Sequence, residues 1–297
     1  MPIKTLITGA SGQLGSELQR TATSQFECVA LGRNDLDISD AEVVRAALAK
    51  HRPELLINAA AYTAVDLAES EPEQAQKINA TGAANLARAC SESGARLIHI
   101  STDFVFDGGK GEPYRPGDEP APLSVYGQTK LDGETAVLEA TGGDAIVFRT
   151  AWLYSRFGQN FVKTMLRLAE EGGEASIVDD QVGSPTSALD IADTIFQIAA
   201  AVISRSNANF FGTYHYCSDG YGSWADVAEH VFRVSKTRRD SKIVLKRIPT
   251  SEYPTPAKRP LNSRLDTTKI EHVFKVKPTD WTEGVTQITN RLIDEGI

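Results

Sequence analysis

The chain has 297 residues, 41% of them hydrophobic, which is enough to bury one large core or two unequal ones. Its formal net charge is -8 and it contains no long run of Lys or Arg, so a small ligand is favoured over an extended nucleic-acid surface or an anionic membrane. Its three cysteines form no C-x-x-C pair, and their odd number predicts neither a disulfide framework nor a zinc site.

Short apolar runs alternate with helical patterns through the first half of the chain. Five runs are rich in Ile, Leu or Val and short enough for strands buried on both faces, namely 3–8, 27–31, 54–58, 96–101 and 144–149. A capping box beginning at Ser39 predicts a helix through His51, and a second helix is predicted from Pro72 to about Ser93. This alternation predicts right-handed crossovers and an α/β fold with a doubly wound parallel sheet (Rossmann), which binds ligands at the carboxyl ends of its strands.

The second half has a looser order and predicts a smaller C-terminal α/β substrate lobe. Helical patterns at 158–171, 188–204 and 223–236 are interleaved with short strand patterns at 174–178, 212–216 and 243–247. A capping box beginning at Ser223 marks the start of the last of these helices. We therefore expect residues 1–150 to form a dinucleotide-binding domain and 151–297 to be mainly the substrate lobe, with room for some segments to return to the Rossmann sheet. The proline-rich stretch 249–264 is expected to be an ordered loop over a surface or cleft.

The segment TLITGASGQLGSEL places three glycines directly after the first strand and at the start of a helix. Such a loop can turn tightly, approach a pyrophosphate and present the N-terminus of its helix to the anion, whereas glycines alone would indicate only a strand-to-helix turn. The strand before the loop and the strand-helix alternation after it favour nucleotide binding. The loop residues expected to bind the cofactor are Gly9, Ser11, Gly12, Gln13, Leu14 and Gly15.

The end of the second strand bears on cofactor choice. An NAD site usually offers a carboxylate there, whereas an arginine such as Arg33 suits the 2′-phosphate of NADP(H). NADP(H) is therefore favoured. NAD(H) remains a second candidate cofactor because Asp35 and Asp37 lie close by. The alternative interpretation of Arg33 is an exposed side chain that binds no ligand. Asp37 is expected to face the adenine. The remaining expected cofactor contacts are Ile38, Ala59, Ala60 and Ala61.

The segment SVYGQTKLDGE sets Tyr126 four residues before Lys130, on one face of a predicted helix. A free phenol is a poor proton donor at neutral pH, and a nearby ammonium is expected to lower the pKa of Tyr126. The fourth strand ends in Ser101, Thr102 and Asp103, where a hydroxyl can bond a substrate oxygen beside the tyrosine. A lone Y-x-x-x-K is more often a surface helix turn, but together with the glycine loop it predicts acid catalysis, with Lys130 also holding the nicotinamide ribose.

Several blocks of the sequence together resemble the dTDP-4-dehydrorhamnose reductases, members of the extended short-chain dehydrogenase/reductases. They run almost from end to end: the glycine loop, NAAAYTAVDLAESEPEQAQKIN, ISTDFVFDG, VYGQTKLDGE, FRTAWLY, NFVKTMLRLA, DDQVGSPTS and RPLNSRLDT. The resemblance implies reduction of the C4 ketone of dTDP-4-dehydro-L-rhamnose to dTDP-L-rhamnose. It implies that Thr102, Tyr126 and Lys130 are catalytic. The residues it places around the sugar are Thr63, Val65, Thr102, Asp103, Tyr126 and Trp152.

The sequence disfavours one related function and leaves two others open. Related dehydratases carry an Asp-Glu pair after the strand-end threonine, and Phe104 cannot transfer a proton, so elimination is disfavoured. A reductase of another dTDP-4-keto-6-deoxysugar is one alternative. A non-catalytic NADP-binding regulatory subunit resembling that of methionine adenosyltransferase is another, although Thr102 and Trp152 favour the enzyme. Trp152 could also be a core residue rather than a wall of the sugar site.

Metal binding is not expected. Some relatives bind Mg²⁺ at a dimer contact through a glutamate after the G-x-P-T element, but this chain has Ser187, Ala188 and Leu189 there. We expect no metal, and a monomer or a Mg-independent homodimer with a small dTDP-sugar as substrate. The segment MPIKTLITGASG lacks the regions of a signal peptide and no window approaches the ~18 apolar residues of a membrane span, so a cytoplasmic protein is expected.

Overall fold

The computed structural model describes residues 1–204, 210–238 and 242–296. The strands in these ranges are β1 Ile3–Thr8, β2 Phe26–Leu31, β3 Leu55–Asn58, β4 Arg96–Thr102, β5 Ala145–Thr150, β6 Leu153–Tyr154, β7 Gly173–Val178, β8 Val182–Gly183, β9 Thr186–Ser187, β10 Gly212–His215, β11 Gly222–Ser223 and β12 Ile243–Ile248. The helices are α1 Gln13–Thr21, α2 Ala41–His51, α3 Val65–Ala68, α4 Pro72–Gln76, α5 Ala83–Ser93, α6 Val125–Ala140, α7 Phe161–Glu171, α8 Ala188–Ser204, α9 Trp224–Lys236, α10 Thr268–Phe274 and α11 Trp281–Asp294. A π-helical segment, Lys77–Gly82, joins α4 to α5, and 3₁₀ turns occupy Asp103–Val105 and Thr250–Glu252.

Within the described ranges, six strands form one parallel sheet in the order β10-β5-β4-β3-β1-β2. The five strands expected in the first half of the chain are β1 to β5, which confirms the predicted α/β class with a doubly wound parallel sheet. The direction of strand order reverses between β1 and β3. Loops that leave the two strands therefore diverge and open a crevice at the carboxyl ends of the sheet.

Alternating side chains of the central strands enter two separate cores on opposite faces of the sheet. Leu6 and Leu56 are fully buried in a cluster with residues of α2, α5 and α6. Ile7 and Ile57 are also fully buried, in a cluster with residues of α1, α8 and α10. Because successive residues of a strand point to opposite faces, two buried faces require the continuous apolar runs that the sequence contains.

The part of the chain after β5 contributes both to the main sheet and to a second layered unit. Strand β10 pairs with β5 at the edge of the sheet, and α8 packs against α1 through the same apolar cluster. A separate buried cluster joins α7, α9 and α11 to the parallel pair β7 and β12. Part of the expected second lobe thus completes the first.

Two predicted helix starts differ in outcome. The capping box at Ser223 is confirmed: its hydroxyl accepts from Asp226 N at 3.1 Å, and the Asp226 carboxylate accepts from Ser223 N at 2.8 Å. The box expected from Ser39 is wrong, since Asp40 caps α2 by accepting from two backbone N–H groups and Ser39 donates its hydroxyl to Asp37. Asp40 stands one residue closer to the helix and offers a charged acceptor, which favours it as the cap.

The single helix predicted from Pro72 to Ser93 is interrupted by the wider π-helical segment. The predicted helix at 158–171 begins at Phe161, where the Asn160 side chain accepts from Lys163 N at 3.2 Å. No helix in the described ranges is long and apolar enough to cross a membrane.

Candidate active site

A cleft of about 1230 Å³ runs along the carboxyl ends of β1, β3 and β4 and reaches the segments that follow β5. It exceeds the ~300 to 1,000 Å³ of a typical small-molecule pocket, so it has room for two ligands side by side. The predicted site residues that line it are Gly9, Ser11, Gly12, Gln13, Leu14, Arg33, Asp37, Ile38, Ala59, Ala60, Ala61, Thr63, Val65, Thr102, Asp103, Tyr126, Lys130 and Trp152. Gly15 is not among the residues lining the cleft.

Gly15 instead lies beneath the glycine loop. A Cβ placed on it would stand 2.1 Å from the carbonyl oxygen of Gly9, which no side chain can tolerate. Gly9 has a φ of 72°, and its own Cβ would meet Ala59 at 2.6 Å. Gly12 is the N-cap of α1 and supplies no side-chain acceptor, so the first N–H groups of the helix are left for another partner. This geometry suits an anion at the mouth of the cleft.

Positive charge collects at the β2 end of the cleft. Arg33 and Lys77 both line it, and both help to lower the pKa of Asp37, after the larger effect of hydrogen bonds from Ser39. Asp35 accepts a 2.9 Å hydrogen bond from Gly32 N and thus stabilises the turn that presents Arg33. Lys77 could not be identified from the sequence, because it lies more than forty residues from Arg33 and carries no motif of its own.

The end of β4 and the start of α6 bring Thr102, Tyr126 and Lys130 to the same part of the cleft. Thr102 is buried and donates to the Asp103 carboxylate at 3.1 Å, while its hydroxyl also accepts from Phe104 N at 3.2 Å. The Phe104 ring meets the Tyr126 ring edge-on with centroids 5.4 Å apart. Two hydroxyls and an ammonium therefore converge above the sheet, next to an apolar ring.

Burial sets the protonation of these groups. It raises the pKa of Tyr126 to about 12, with a hydrogen bond to Thr102 acting in the opposite direction. It lowers the pKa of Lys130 to about 8, which the Glu134 charge partly offsets, and Lys130 Nζ donates to Ile100 O at 2.6 Å. The sequence led us to expect a lowered pKa for Tyr126, and this expectation is wrong: its pKa is raised. The free-energy cost of removing a phenolate from water exceeds the stabilisation that neighbouring groups provide.

Asp103, beside these groups, is also buried, with an exposed fraction of 3%. Burial raises the pKa of its carboxyl to about 6, and hydrogen bonds from Ser263 and Thr102 act in the opposite direction. A carboxyl in this state holds its proton over a wider pH range than an exposed aspartate.

Trp152 forms the wall of the cleft on the side of the second unit. Its backbone lies in the left-handed region, with φ of 48°, and its ring stacks on Trp224 at a centroid distance of 3.6 Å and an angle of 8°. Phe161 lies against Trp224 at 4.6 Å, and a Cβ on Gly183 would meet the Trp152 ring at 2.5 Å. Trp152 is thus both a lining residue and a packed one. Trp224 and Phe161 also line the cleft, and no sequence motif indicates this, although the Ser223 capping box correctly predicts the start of α9.

The loop that carries Thr63 is held to the helix that carries Tyr126 and Lys130. Asn79, in the π-helical segment, accepts from Tyr62 N at 2.8 Å and donates to Tyr62 O at 3.2 Å. The same amide donates to Thr129 Oγ1 at 3.1 Å, and Thr129 lies between Tyr126 and Lys130 on α6. The wider turn therefore places one side chain against both the loop and the helix.

The described part of the chain contains no group of three or more His, Cys, Asp or Glu side chains arranged to hold a metal ion. Burial raises the pKa of Asp190, the carboxylate next to Leu189. Its backbone N–H donates to Ser187 Oγ at 3.3 Å.

The comparisons with known proteins agree with this geometry. The model of the RmlD substrate binding domain family matches residues 3–293. A dTDP-4-dehydrorhamnose reductase of Escherichia coli is 43% identical over 295 residues, covering 97% of each chain, and one of Sinorhizobium fredii is 42% identical over 290 residues, covering 98% of each. The structure of a Clostridium acetobutylicum dTDP-4-dehydrorhamnose reductase matches with a TM-score of 0.91 at 38% sequence identity. The structure of a Bacillus anthracis dTDP-4-dehydrorhamnose reductase in complex with NADP matches with a TM-score of 0.90 at 36% identity. Each match covers 98% of this chain and 100% of the other chain. The chain therefore belongs to the dTDP-4-dehydrorhamnose reductase family, as its motifs predicted.

Proposed function

We propose that this protein reduces the C4 ketone of dTDP-4-dehydro-L-rhamnose to dTDP-L-rhamnose with NADPH. The observation that carries the proposal is the placement of Thr102, Tyr126 and Lys130 in one cleft with the glycine loop. The names of the relatives and the NADP complex of the Bacillus anthracis protein support it. We further propose that residues 1–150 mainly bind the dinucleotide and 151–297 mainly the sugar nucleotide.

The residues present fit the cofactor. The uncapped N-terminus of α1 and the close approach permitted by Gly9 would hold the pyrophosphate, and Arg33 with Lys77 would hold the 2′-phosphate. When bound, NADPH supplies the hydride for C4. Lys130 would bind the nicotinamide ribose.

The reduction also needs a proton on the ketone oxygen. Tyr126 holds this proton firmly before the reaction, since burial keeps its pKa at about 12. Thr102 can turn its hydroxyl hydrogen from Asp103 to the same oxygen and so fix it beside the phenol. The Lys130 ammonium stabilises the phenolate left after transfer. The Trp152 and Trp224 rings, which stack on each other at the wall of the cleft, offer an apolar surface for a deoxysugar ring.

The proposal is tested by following NADPH absorbance with dTDP-4-dehydro-L-rhamnose and identifying the product. We expect oxidation of NADPH and formation of dTDP-L-rhamnose. If the protein instead reduced another dTDP-4-keto-6-deoxysugar to a different C4 epimer, that sugar would be its substrate and the proposal would be wrong on this point. Tight NADP(H) binding with no turnover on any such sugar would instead identify a non-catalytic binding subunit.

Cofactor choice gives a first prediction. Arg33→Ala should weaken NADPH binding about tenfold or more, because one charge-assisted contact to the 2′-phosphate is lost, and should leave NADH binding nearly unchanged. Titration of both cofactors by protein fluorescence measures the two dissociation constants. Arg45→Ala is the matched control, since Arg45 pairs with Glu42 on α2 and does not line the cleft. Equal losses for NADPH and NADH would remove Arg33 from the phosphate site.

A second prediction concerns metal. Activity and subunit association should not change when Mg²⁺ is replaced by EDTA, because Mg²⁺ binds through carboxylates and Leu189 supplies none. Sedimentation and turnover in the two buffers decide the matter. A chelator that lowered the mass or the rate would show that a magnesium site exists.

A further inference from the structure

A buried carboxylate lies on the same face of α6 as the catalytic pair. Glu134 follows Lys130 by four residues and Tyr126 by eight, which is one turn and two turns of helix. Its exposed fraction is 3%, and it does not line the cleft. A charge so deep inside the protein is costly unless it is paired and hydrogen-bonded.

Glu134 is paired on one side with Arg149 of β5. Arg149 Nε donates to Oε1 at 2.8 Å and Nη2 donates to Oε2 at 2.6 Å, which is a two-pronged contact. The same oxygen, Oε1, also accepts a hydrogen bond from the hydroxyl of Ser101. Ser101 precedes Thr102 and lies opposite Arg149 in the register of β4 and β5. The carboxylate therefore ties the carboxyl end of β4 to the helix that carries Tyr126 and Lys130.

The arginine is itself held in place. Its guanidinium lies 5.1 Å from the centre of the Phe106 ring and 3.4 Å from His215 Nε2. Burial and the Arg149 charge lower the pKa of His215 to about 3, so the imidazole is neutral. His215 Nδ1 lies 2.9 Å from the carbonyl of Tyr114, and a proton on Nδ1 leaves Nε2 to accept from Arg149. The network is thus satisfied on each side.

The charged and titratable groups around Lys130 come from α6, β5, β4 and the turn after β4. On α6 they are Tyr126 and Glu134, and Arg149 of β5 lies beyond the carboxylate. From β4, His99 is buried beside Lys130, and burial together with that ammonium holds its pKa well below the ordinary value, so it is neutral. Asp103, which begins the turn after β4, affects Tyr126. Lys130 Nζ donates to Ile100 O, and Ser101, the next residue of β4, donates to the Glu134 carboxylate, so the two charges lie close together. The negative charge of Glu134 raises the pKa of Lys130, against the larger effect of burial.

We propose that Glu134 is a positioning residue for the reductase proposed above: it holds Lys130 as an ammonium and fixes Thr102 against α6 through Ser101. The expected effect of Glu134 on turnover rests on the proposed function. The effect of the buried carboxylate on the pKa of Lys130 can be measured without substrate or cofactor.

The sign of the effect follows from charge. A nearby anion raises the pKa of an ammonium, so Glu134→Gln should lower the pH at which Lys130 loses its proton, by about one unit. Titration of the Lys130 side-chain NMR resonance, assigned by its loss in Lys130→Met, measures this directly. In the assay, the alkaline fall in kcat/KM should begin at a correspondingly lower pH. Asp132→Asn, which removes a carboxylate from the same helix outside this network, should shift neither.

Two further variants keep the test decisive. Because Glu134→Gln leaves Arg149 unpaired, the double variant Glu134→Gln/Arg149→Met removes both buried charges. The pKa of Lys130 should still fall in this variant, because the anion that raises it is gone while the burial that lowers it remains. Ser101→Ala keeps both charges, so it should lower kcat with KM and the Lys130 titration unchanged. An unshifted Lys130 in the folded double variant would overturn the inference. The titration needs no substrate, so a wrong substrate assignment would leave it standing.

Discussion

Tyr126→Phe is expected to lower turnover by about 10² to 10⁴ while leaving NADPH affinity nearly unchanged, the range typical of lost acid catalysis. The substitution keeps the ring that packs edge-on against Phe104 and removes only the hydroxyl. Measurement of kcat at saturating sugar nucleotide, beside cofactor titration, separates lost chemistry from lost binding.

Tyr216→Phe is the matched control for this experiment. Burial raises the pKa of Tyr216 to about 12 as well, yet Tyr216 does not line the cleft. Its loss should leave turnover within a small factor of the unmodified protein. If Tyr126→Phe retained near-normal turnover, or if both variants lost it equally, Tyr126 would not be the proton donor.

Arg149→Met should lower the free energy of unfolding by about 3 to 5 kcal/mol, because it leaves the Glu134 carboxylate buried without its cation. The exposed fractions of the two side chains are 5% and 3%, so water cannot take over the role of the guanidinium. Denaturant titration measures the loss. Adding Glu134→Gln to Arg149→Met should restore much of the stability, since both charges are then absent.

The control for this second experiment is Arg167→Met. Arg167 pairs with Glu171 at 2.7 Å on the surface of α7, with exposed fractions of 63% and 53%. Exposed pairs of this type contribute about 0.3 to 0.5 kcal/mol. A loss in Arg149→Met no larger than that in Arg167→Met would mean that the buried pair contributes little to stability.

Features that depend on local sequence were predictable. The continuous apolar runs located β1 to β5 within one residue at each end, because a strand buried on both faces admits no other pattern. The glycine loop was recognisable because Gly9 and Gly15 each meet a backbone atom that excludes a side chain. The Tyr126–Lys130 spacing similarly implied a shared face of one helix.

Features that depend on the packing of distant segments were not predictable. Trp224 reaches the cleft only because α9 packs behind the loop that carries Trp152, a contact between residues 72 positions apart. The pKa of Tyr126 required the depth of burial, which a spacing rule cannot supply. Sequence alone could not choose between Ser39 and Asp40 as the cap of α2, since both are good N-cap residues.

The late arrival of β10 in the sheet has a consequence for synthesis of the protein. Strand β5 emerges from the ribosome more than sixty residues before its edge partner, and α8, which covers the apolar side of α1, also follows it. During that interval the nascent chain has an open strand edge and an uncovered apolar face, the two features that recruit unwanted partners. A product terminated after β5 is therefore expected to aggregate, and the intact chain to depend on rapid elongation or on chaperone protection until residue 215 has left the exit tunnel.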